Sequence, residues 1–279
     1  MSRPFQRRLL GWILQVLLAV AAFVVLLPLI WMVSTSFKTL PEIMSGELNL
    51  VPQHWAALEN YAKAVGTVPV LRFMFNGFVV CAAILALQLM VAIPAAYALA
   101  KLRWRGRNAF LATILLCLMV PHQAPAIPVY IGLYAAGLLD TYTALIAPFA
   151  FSAFGIFLLR QYFMTIPDDL IHAGRVDGMS ESAILWRVVT PTAAPAIVAF
   201  AVFSVIAHWN DLFWPLIVVT TPELATPPRG IVFFRNDEFG TDYGAMMAMT
   251  VIVTLPLVLL FLLMQRRFVD GITMSGLKG

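Results

Sequence analysis

Four histidines and two cysteines are the residues of this chain with the side chains that most often bind transition metals. Cys81 and Cys117 both lie inside apolar stretches, where a free cysteine usually packs as a small hydrophobic residue. The histidines lack the His-Glu-x-x-His spacing that brings two imidazoles onto one face of a helix. They are His54, His122, His172 and His208. The sequence therefore predicts no metal site, no cofactor and no disulfide framework.

The chain also lacks the motifs of nucleotide binding and acyl transfer. Gly-x-x-x-x-Gly-Lys-Ser/Thr, the loop whose backbone amides bind nucleotide phosphates, does not occur in it. Gly178-Met179-Ser180 has residue types found in serine proteases, but it follows a helical pattern, and no histidine further along the chain has a fitting context. We therefore expect a non-catalytic protein, and any use of ATP would require another chain.

The elements that carry these residues are long and apolar. The chain is 61% hydrophobic and 11% charged, whereas about 25% of the residues of a soluble domain are charged. Six segments each hold about 20 or more mostly apolar residues, enough for a helix to cross a hydrocarbon core of about 30 Å. They are residues 9–34, 73–99, 109–133, 142–163, 195–220 and 245–265. The sequence predicts an all-α integral membrane protein, a bundle of six transmembrane helices.

The basic residues lie at the ends of the apolar segments and form no single patch, which argues against a nucleic-acid partner. If the N-terminus is cytoplasmic, 13 of the 18 Lys and Arg residues fall in cytoplasmic segments. They are Arg3, Arg7, Arg8, Lys101, Arg103, Arg105, Arg107, Arg160, Arg175, Arg187, Arg266, Arg267 and Lys278. The outer segments hold acids such as Asp237 and Glu238. This bias predicts that both termini are cytoplasmic.

Prolines and polar side chains interrupt most of the apolar segments. Residues 119–128 contain three prolines, a pattern typical of either a kinked helix or an interrupted helix beside a transport cavity. Polar groups at membrane depth are costly and usually face a cavity or a partner. Trp209 and Trp214 suit such a cavity or, alternatively, an aromatic belt at the membrane interface. The candidate translocation residues are Asn76, His122, Gln123, Trp209, Asn210, Asp211 and Trp214.

The connection between the fourth and fifth apolar segments, residues 164–194, has the pattern of two short helices. Asp168 and Asp169 follow a proline and are typical of a first helical turn. Gly178 suits a left-handed helix end, Ser180 can cap a second helix, and Pro191 is expected to end it. The adjacent small residues 173 and 174 would let another protein approach closely, or the segment simply covers the end of the bundle.

This connection resembles the cytoplasmic loop of ABC importer permeases, in which Glu-Ala-Ala is followed by Gly and then by Ile-x-Leu-Pro. His172 replaces the usual glutamate of that pattern, and Asp177-Gly178 is kept. The resemblance implies a coupling helix that binds a cleft of an ATPase subunit and transmits its closure. The residues expected to form this coupling loop are Asp169, His172, Ala173, Gly174, Asp177, Gly178, Ser180, Glu181, Arg187 and Pro191.

Nearly the whole chain resembles the maltose-type carbohydrate branch of this permease family. The matching segments are Asn60-Tyr61 and residues 119–130, 159–163 and 209–215. The resemblance implies a multi-pass inner-membrane permease for a sugar or sugar-like solute. Its partners would be a second homologous permease, two ABC ATPase subunits and a periplasmic or lipid-anchored solute-binding protein. Residues 1–70 would form an N-terminal helix and outer segment, and residues 71–279 the permease core.

Two alternatives to a sugar importer remain open from the sequence. One is an ABC permease for another solute, such as a glycerol phosphate ester, a polyamine or a peptide. The other is an autonomous secondary transporter or channel, which would need an ion-coupling residue deep in a span and no docking loop.

Overall fold

The computed structural model describes residues 3–235 and 240–276, and the side chains of residues 11–235 and 240–265 within them. Three residues used in the charge argument, Asp237, Glu238 and Lys278, lie outside the described residues. The side chains of the terminal arginines used there also lie outside them. They are Arg3, Arg7, Arg8, Arg266 and Arg267.

The described residues form helices and no β-strand, apart from one isolated antiparallel bridge between Lys38 and Trp55. In chain order the α-helices are α1 (Arg3–Thr35), α2 (Leu40–Met44), α3 (Ala57–Thr67), α4 (Val70–Lys101), α5 (Arg107–Met119), α6 (Ala126–Ala135), α7 (Tyr142–Ile146), α8 (Ala153–Thr165), α9 (Asp168–Val176), α10 (Glu181–Ile184), α11 (Thr190–Thr192), α12 (Ala194–Trp209), α13 (Phe213–Val218), α14 (Pro227–Val232) and α15 (Tyr243–Gly276). A π-helix (Leu185–Val189) joins α10 to α11, and 3₁₀ turns occupy Ala147–Phe149 and Pro222–Leu224. The all-α prediction is confirmed.

Three described helices are long and apolar enough to cross a membrane: Gly11–Thr35, Val70–Lys101 and Tyr243–Gln265. The number is five if each of two bent pairs counts as one span, namely Tyr142–Phe149 with Ala153–Thr165 and Glu181–Thr192 with Ala194–Trp209. The expected third crossing, residues 109–133, is not one helix. It divides into the short helices α5 and α6, because the prolines of residues 121–128 remove backbone donors and clash with the preceding turn.

The chain divides into two compact units, Met1–Val70 with Ile231–Thr254, and Leu71–Gly230 with Leu255–Gly279. In the first unit, the side-chain amide of Asn60 donates to the backbone oxygens of Ser36 and Lys38, each at 2.9 Å. Gly244 fits against this amide, since an added Cβ would lie 2.6 Å from Asn60 Oδ1. Asn60 therefore fixes the turn that follows α1.

The core of the second unit packs α4, α5 and α8 against the chain from α9 to the start of α12. Leu99, Phe163, Ile184 and Val189 are among its fully buried members. Helices α8 and α12 contain a particularly close approach, because a Cβ on Gly155 would lie 2.6 Å from a ring carbon of Phe200. This core holds the segment between α8 and α12 against the Lys101 end of α4.

Asp140 ties the connection between α6 and α7 to the chain that follows α13. Its carboxylate accepts hydrogen bonds from the backbone and hydroxyl groups of both Thr220 and Thr221. Partial burial opposes ionisation of Asp140, but these four bonds outweigh it and lower the pKa of the carboxyl to about 2. The backbone of Asp140 is left-handed, with φ of 55°, which a short polar side chain tolerates better than most.

Candidate functional site

The connection between α8 and α12 begins with α9, and its ends match the sequence signals. Pro167 occupies the N-cap position and both acids follow in the first turn. At the other end Gly178 has φ of 74°, and its amide donates to the carbonyl of Arg175 at 3.1 Å. Met179 then donates to the carbonyl of Gly174 at 2.9 Å. The predicted helix and its left-handed end are confirmed.

The second helix begins as expected and ends one residue later than expected. Ser180 Oγ accepts the backbone amide of Ala183 at 3.2 Å, the predicted cap. The helical run continues one residue past Pro191 and ends at Thr192. Pro191 stands in the first turn of α11, where its missing amide costs no helical bond. The chain runs on to Ala193, where a 77° bend precedes the apolar part of α12.

The π-helix explains how Pro191 is accommodated. The backbone amide of Thr190 bonds to the carbonyl of Leu185, five residues earlier, and its hydroxyl donates to the same oxygen at 2.8 Å. Widening the helix by one residue shifts the hydrogen-bond pattern just before the proline. Such π segments often occur at functional sites.

Two side chains of α4 attach this connection to the end of that helix. Lys101 Nζ lies 2.6 Å from the carbonyl of Ile166 and 2.6 Å from Asp168 Oδ1. The Tyr97 hydroxyl donates to Glu181 Oε2 at 2.6 Å, and Arg175 Nε donates to Glu181 Oε1 at 2.7 Å. Lys101 lowers the pKa of Asp168, and Arg175, followed by Tyr97, lowers that of Glu181. These carboxylates are therefore held ionised.

Helix α9 has one packed face and one exposed face. Ile171 and Gly174 are buried, and a Cβ on Gly174 would lie 3.1 Å from Ile184 Cγ1. The small size of Gly174 thus permits close packing within this chain, as expected if the segment covers the end of the bundle. On the opposite face Ala173 is exposed and Val176 is 88% exposed.

Nine of the ten residues expected in the coupling loop are exposed, and Gly174 is the exception. Next to α9 lies a surface cavity of about 890 Å³, whose lining includes Arg103, Trp104 and His172. Sequence reasoning did not assign Tyr97, Lys101, Arg103 or Trp104 to this site. The basic run over residues 101–107 was the available signal.

A second cavity, of about 980 Å³, lies among residues 117–125, 149–154 and 207–213 together with Gln88. We call it the polar cavity. Four of the seven candidate translocation residues line it, namely His122, Gln123, Asn210 and Asp211.

The other three candidates do not line the polar cavity. Asn76 donates to the backbone oxygens of Glu223 and Ala225 and accepts from the hydroxyl of Tyr142. Trp214 is 4% exposed, and its indole donates to the carbonyl of Ala144 at 2.8 Å. Trp209 is buried.

Gln88 organises the polar cavity, although it is not among the candidate translocation residues predicted from the sequence. Its Nε2 donates to the carbonyl of Phe149 at 3.0 Å and lies 3.2 Å from His208 Nε2. Its Oε1 accepts from the Ser204 hydroxyl at 2.7 Å. Ser204 and His208 stand four residues apart on α12 and therefore share a face. That spacing was the signal for the pair.

Residues 88–274 match the family model described as binding-protein-dependent transport system inner membrane component. The matched range includes both the connection between α8 and α12 and the polar cavity. The chain is 30% identical over 273 residues to the arabinooligosaccharides transport system permease protein of Halalkalibacterium halodurans, covering 97% of this chain and 98% of the relative. It is 33% identical over 271 residues to the lactose transport system permease protein of Rhizobium radiobacter, covering 97% and 98%.

Among solved structures, the chain is similar to a bacterial ABC transporter involved in the import of the acidic polysaccharide alginate. The TM-score is 0.82 at 26% identity, with 96% of this chain and 99% of that chain covered. A family match over most of the chain and relatives that align from end to end lead to the same assignment. The chain belongs to the family of binding-protein-dependent transport system inner membrane components, the permease subunits of ABC importers.

Proposed function

We propose that this permease carries a sugar or sugar-like solute across the inner membrane by alternating access, driven by ATP hydrolysis on partner subunits. The relatives named for arabinooligosaccharides and lactose support the solute class. The observation that carries the mechanism is α9, which exposes one face while Lys101 and Tyr97 attach its surroundings to α4.

In this mechanism the exposed face of α9 binds the ATPase subunit. A movement of α9 is transmitted to α4 through the contact of Asp168 with Lys101 at one end of α9. At the other end it is transmitted from Arg175 to Glu181, and from Glu181 to Tyr97. Both carboxylates are ionised at neutral pH, so these contacts are charge-assisted and stronger than neutral hydrogen bonds. Since α4 also carries Gln88, the movement would reach the polar cavity.

The proposed complex contains this chain, a second homologous permease, two ATPase subunits and a solute-binding protein. ATP hydrolysis is assigned to the ATPase subunits because the sequence of this chain carries no phosphate-binding loop. The coupling role extends to the residues predicted from sequence on the exposed surface of the connection, including His172, Asp177 and Arg187.

For the topology, we propose six crossings with both termini in the cytoplasm. Helices α5 and α6 together would make the third crossing as an interrupted helix, which is tolerated where the break faces a cavity or protein. The bent pair Tyr142–Phe149 with Ala153–Thr165 would make the fourth crossing, and the chain from Ala194 through α12 would make the fifth. Residues 1–70 would add a first crossing and an outer segment to a permease core formed by residues 71–279.

The test is purification of the assembled complex from its native membrane. We expect an ABC ATPase to co-purify with this chain, and its activity in proteoliposomes to rise when the solute-binding protein is loaded. A panel of neutral sugars, glycerol 3-phosphate and polyamines then identifies the solute. ATP-independent uptake by this chain alone would refute the proposal in favour of a secondary transporter. A polyamine or phosphate ester as the sole solute would refute the sugar assignment.

A further inference from the structure

We propose that the polar cavity is a solute-contact site of this chain and that it accepts uncharged, hydroxylated solutes. This inference rests on the proposed function, because it names the solute class of that pathway. The volume of about 980 Å³ falls within the range of small-molecule sites, about 300–1,000 Å³.

The polar cavity lies deep along the two helices that frame it. Gln88 precedes Lys101, at the end of α4, by 13 residues, and His208 follows Ala194, at the start of α12, by 14 residues. At 1.5 Å per residue, each side chain lies about 20 Å along its helix from the end that adjoins the connection between α8 and α12, and His208 is the next-to-last residue of α12. This distance is about two-thirds of a hydrocarbon core of about 30 Å. Polar groups at this depth are costly unless they serve a water-filled path or a partner.

The hydrogen bonds of Gln88 orient the polar wall of the cavity. Gln88 is 4% exposed, and its amide bonds to Phe149, His208 and Ser204. The imidazole of His208 therefore contacts a buried side chain that has three hydrogen-bond partners. A preorganised polar wall gives up less conformational entropy when it binds a ligand.

The exposed part of the lining offers both donors and acceptors. His122, Gln123 and Asn210 are exposed and Asp211 is half-buried. Side chains of these types both donate to and accept from hydroxyl groups. Aromatic side chains at positions 149, 151, 154 and 213 add apolar faces, which suit the C–H face of a sugar ring.

The charges of the lining disfavour an anionic solute. Within the part of the chain that the structure describes, the polar cavity is lined by no Lys or Arg, and Asp211 is its carboxylate. Recognition of a phosphate or carboxylate normally uses Arg or Lys, because a desolvated anion needs a charged or bidentate donor. A phosphate ester or an acidic sugar would find no such donor there and would lie beside the carboxyl group of Asp211.

Cys117 is a natural probe of this site, because it lines the polar cavity and is exposed, whereas Cys81 is buried. We would replace Cys81 by alanine, reconstitute the complete complex, and measure how fast an uncharged maleimide modifies Cys117. The probes are lactose, an arabinose oligosaccharide and glycerol 3-phosphate, each with the loaded binding protein and ATP. At ten times its half-saturating concentration, an uncharged transported sugar should slow modification about tenfold.

A matched control uses the same helix away from the cavity. Thr113→Cys in a Cys117→Ser chain places the thiol one turn earlier on α5, at an exposed residue that does not line the polar cavity. Its modification should not respond to sugar. A second variant, Gln123→Ala, should raise the half-saturating solute concentration about two- to tenfold through the loss of one hydrogen bond.

The outcomes separate this inference from the proposed function. If loaded binding protein stimulates the ATPase but no solute protects Cys117, or glycerol 3-phosphate protects it as well as a neutral sugar does, the inference is wrong and the proposed function stands. Complete lack of Cys117 modification in every state would also overturn the inference. If the ATPase is never stimulated, the proposed function itself fails.

Discussion

Replacing Gly178 by alanine should destabilise the end of α9 through backbone strain alone. Gly178 has φ of 74°, a left-handed conformation that costs a residue with a side chain about 1–2 kcal/mol. A Cβ built at Gly178 would meet no heavy atom within 4 Å, so no steric term is added. A cost of 1–2 kcal/mol multiplies the population of the opened helix end by about 5- to 30-fold.

Hydrogen exchange at the helix end measures this population directly. The amides of Gly178 and Met179 donate to carbonyls of α9, so they exchange only when the end opens. In Gly178→Ala we expect these amides to exchange about 5- to 30-fold faster. Gly178→Asn should show a smaller change, because asparagine enters the left-handed region more readily. If α9 transmits the movement of the ATPase subunit, the coupling of ATP hydrolysis to uptake should fall more in Gly178→Ala than in Gly178→Asn.

Gly137→Ala is the matched control, since Gly137 has φ of 67° and equally open surroundings. It should cause a similar local loss of protection while leaving the coupling ratio unchanged, because it lies outside the connection. Unchanged exchange in Gly178→Ala, or an asparagine variant more disturbed than the alanine variant, would refute the reasoning from backbone strain.

Three further predictions address packing and charge. Lys101→Met should lower thermal stability by about 1–2 kcal/mol, because the carbonyl of Ile166 loses its donor; no change in melting would contradict this. Gly155→Ala should cost about 1–3 kcal/mol through overpacking against Phe200, whereas Gly132→Ala, in helix α6 with open surroundings, should cause no loss of stability in the same melts. The depressed pKa of Asp140 stabilises the fold above about pH 4, and this contribution should be lost as the pH falls toward about 2. Asp140→Asn should remove that pH dependence of melting, and a variant that keeps it would show that another group is responsible.

The sequence predicted the connection between α8 and α12 well, because its signals are local. The acids of the first turn, Gly178 and Ser180 each act within a few residues of their own position. Pro191 follows the same local rule to within one residue, because the helical run ends at Thr192 before the 77° bend. The π-helix before Pro191 shifts the hydrogen-bond pattern by one residue, which no propensity of a single residue encodes.

Only four of the seven candidate translocation residues line the polar cavity. The polarity of a side chain does not show which group it will hydrogen-bond to in the fold. Asn76 looked suited to a pathway, yet it bonds to backbone oxygens 147 and 149 residues away. Gln88 looked no different in sequence, and its partners are 61, 116 and 120 residues away. Such pairings depend on which helices meet, and sequence periodicity does not specify that.

Contact between the exposed face of α9 and an ATPase tests the central claim most directly. In a chain with both native cysteines replaced, Val176→Cys carries a benzophenone group, and Leu58→Cys is a control of matched exposure, at 88% and 87%. After illumination of the intact complex, we expect position 176 to crosslink to the ATPase subunit and position 58 not to do so. Absence of the crosslink at position 176 in an actively transporting complex would contradict the account.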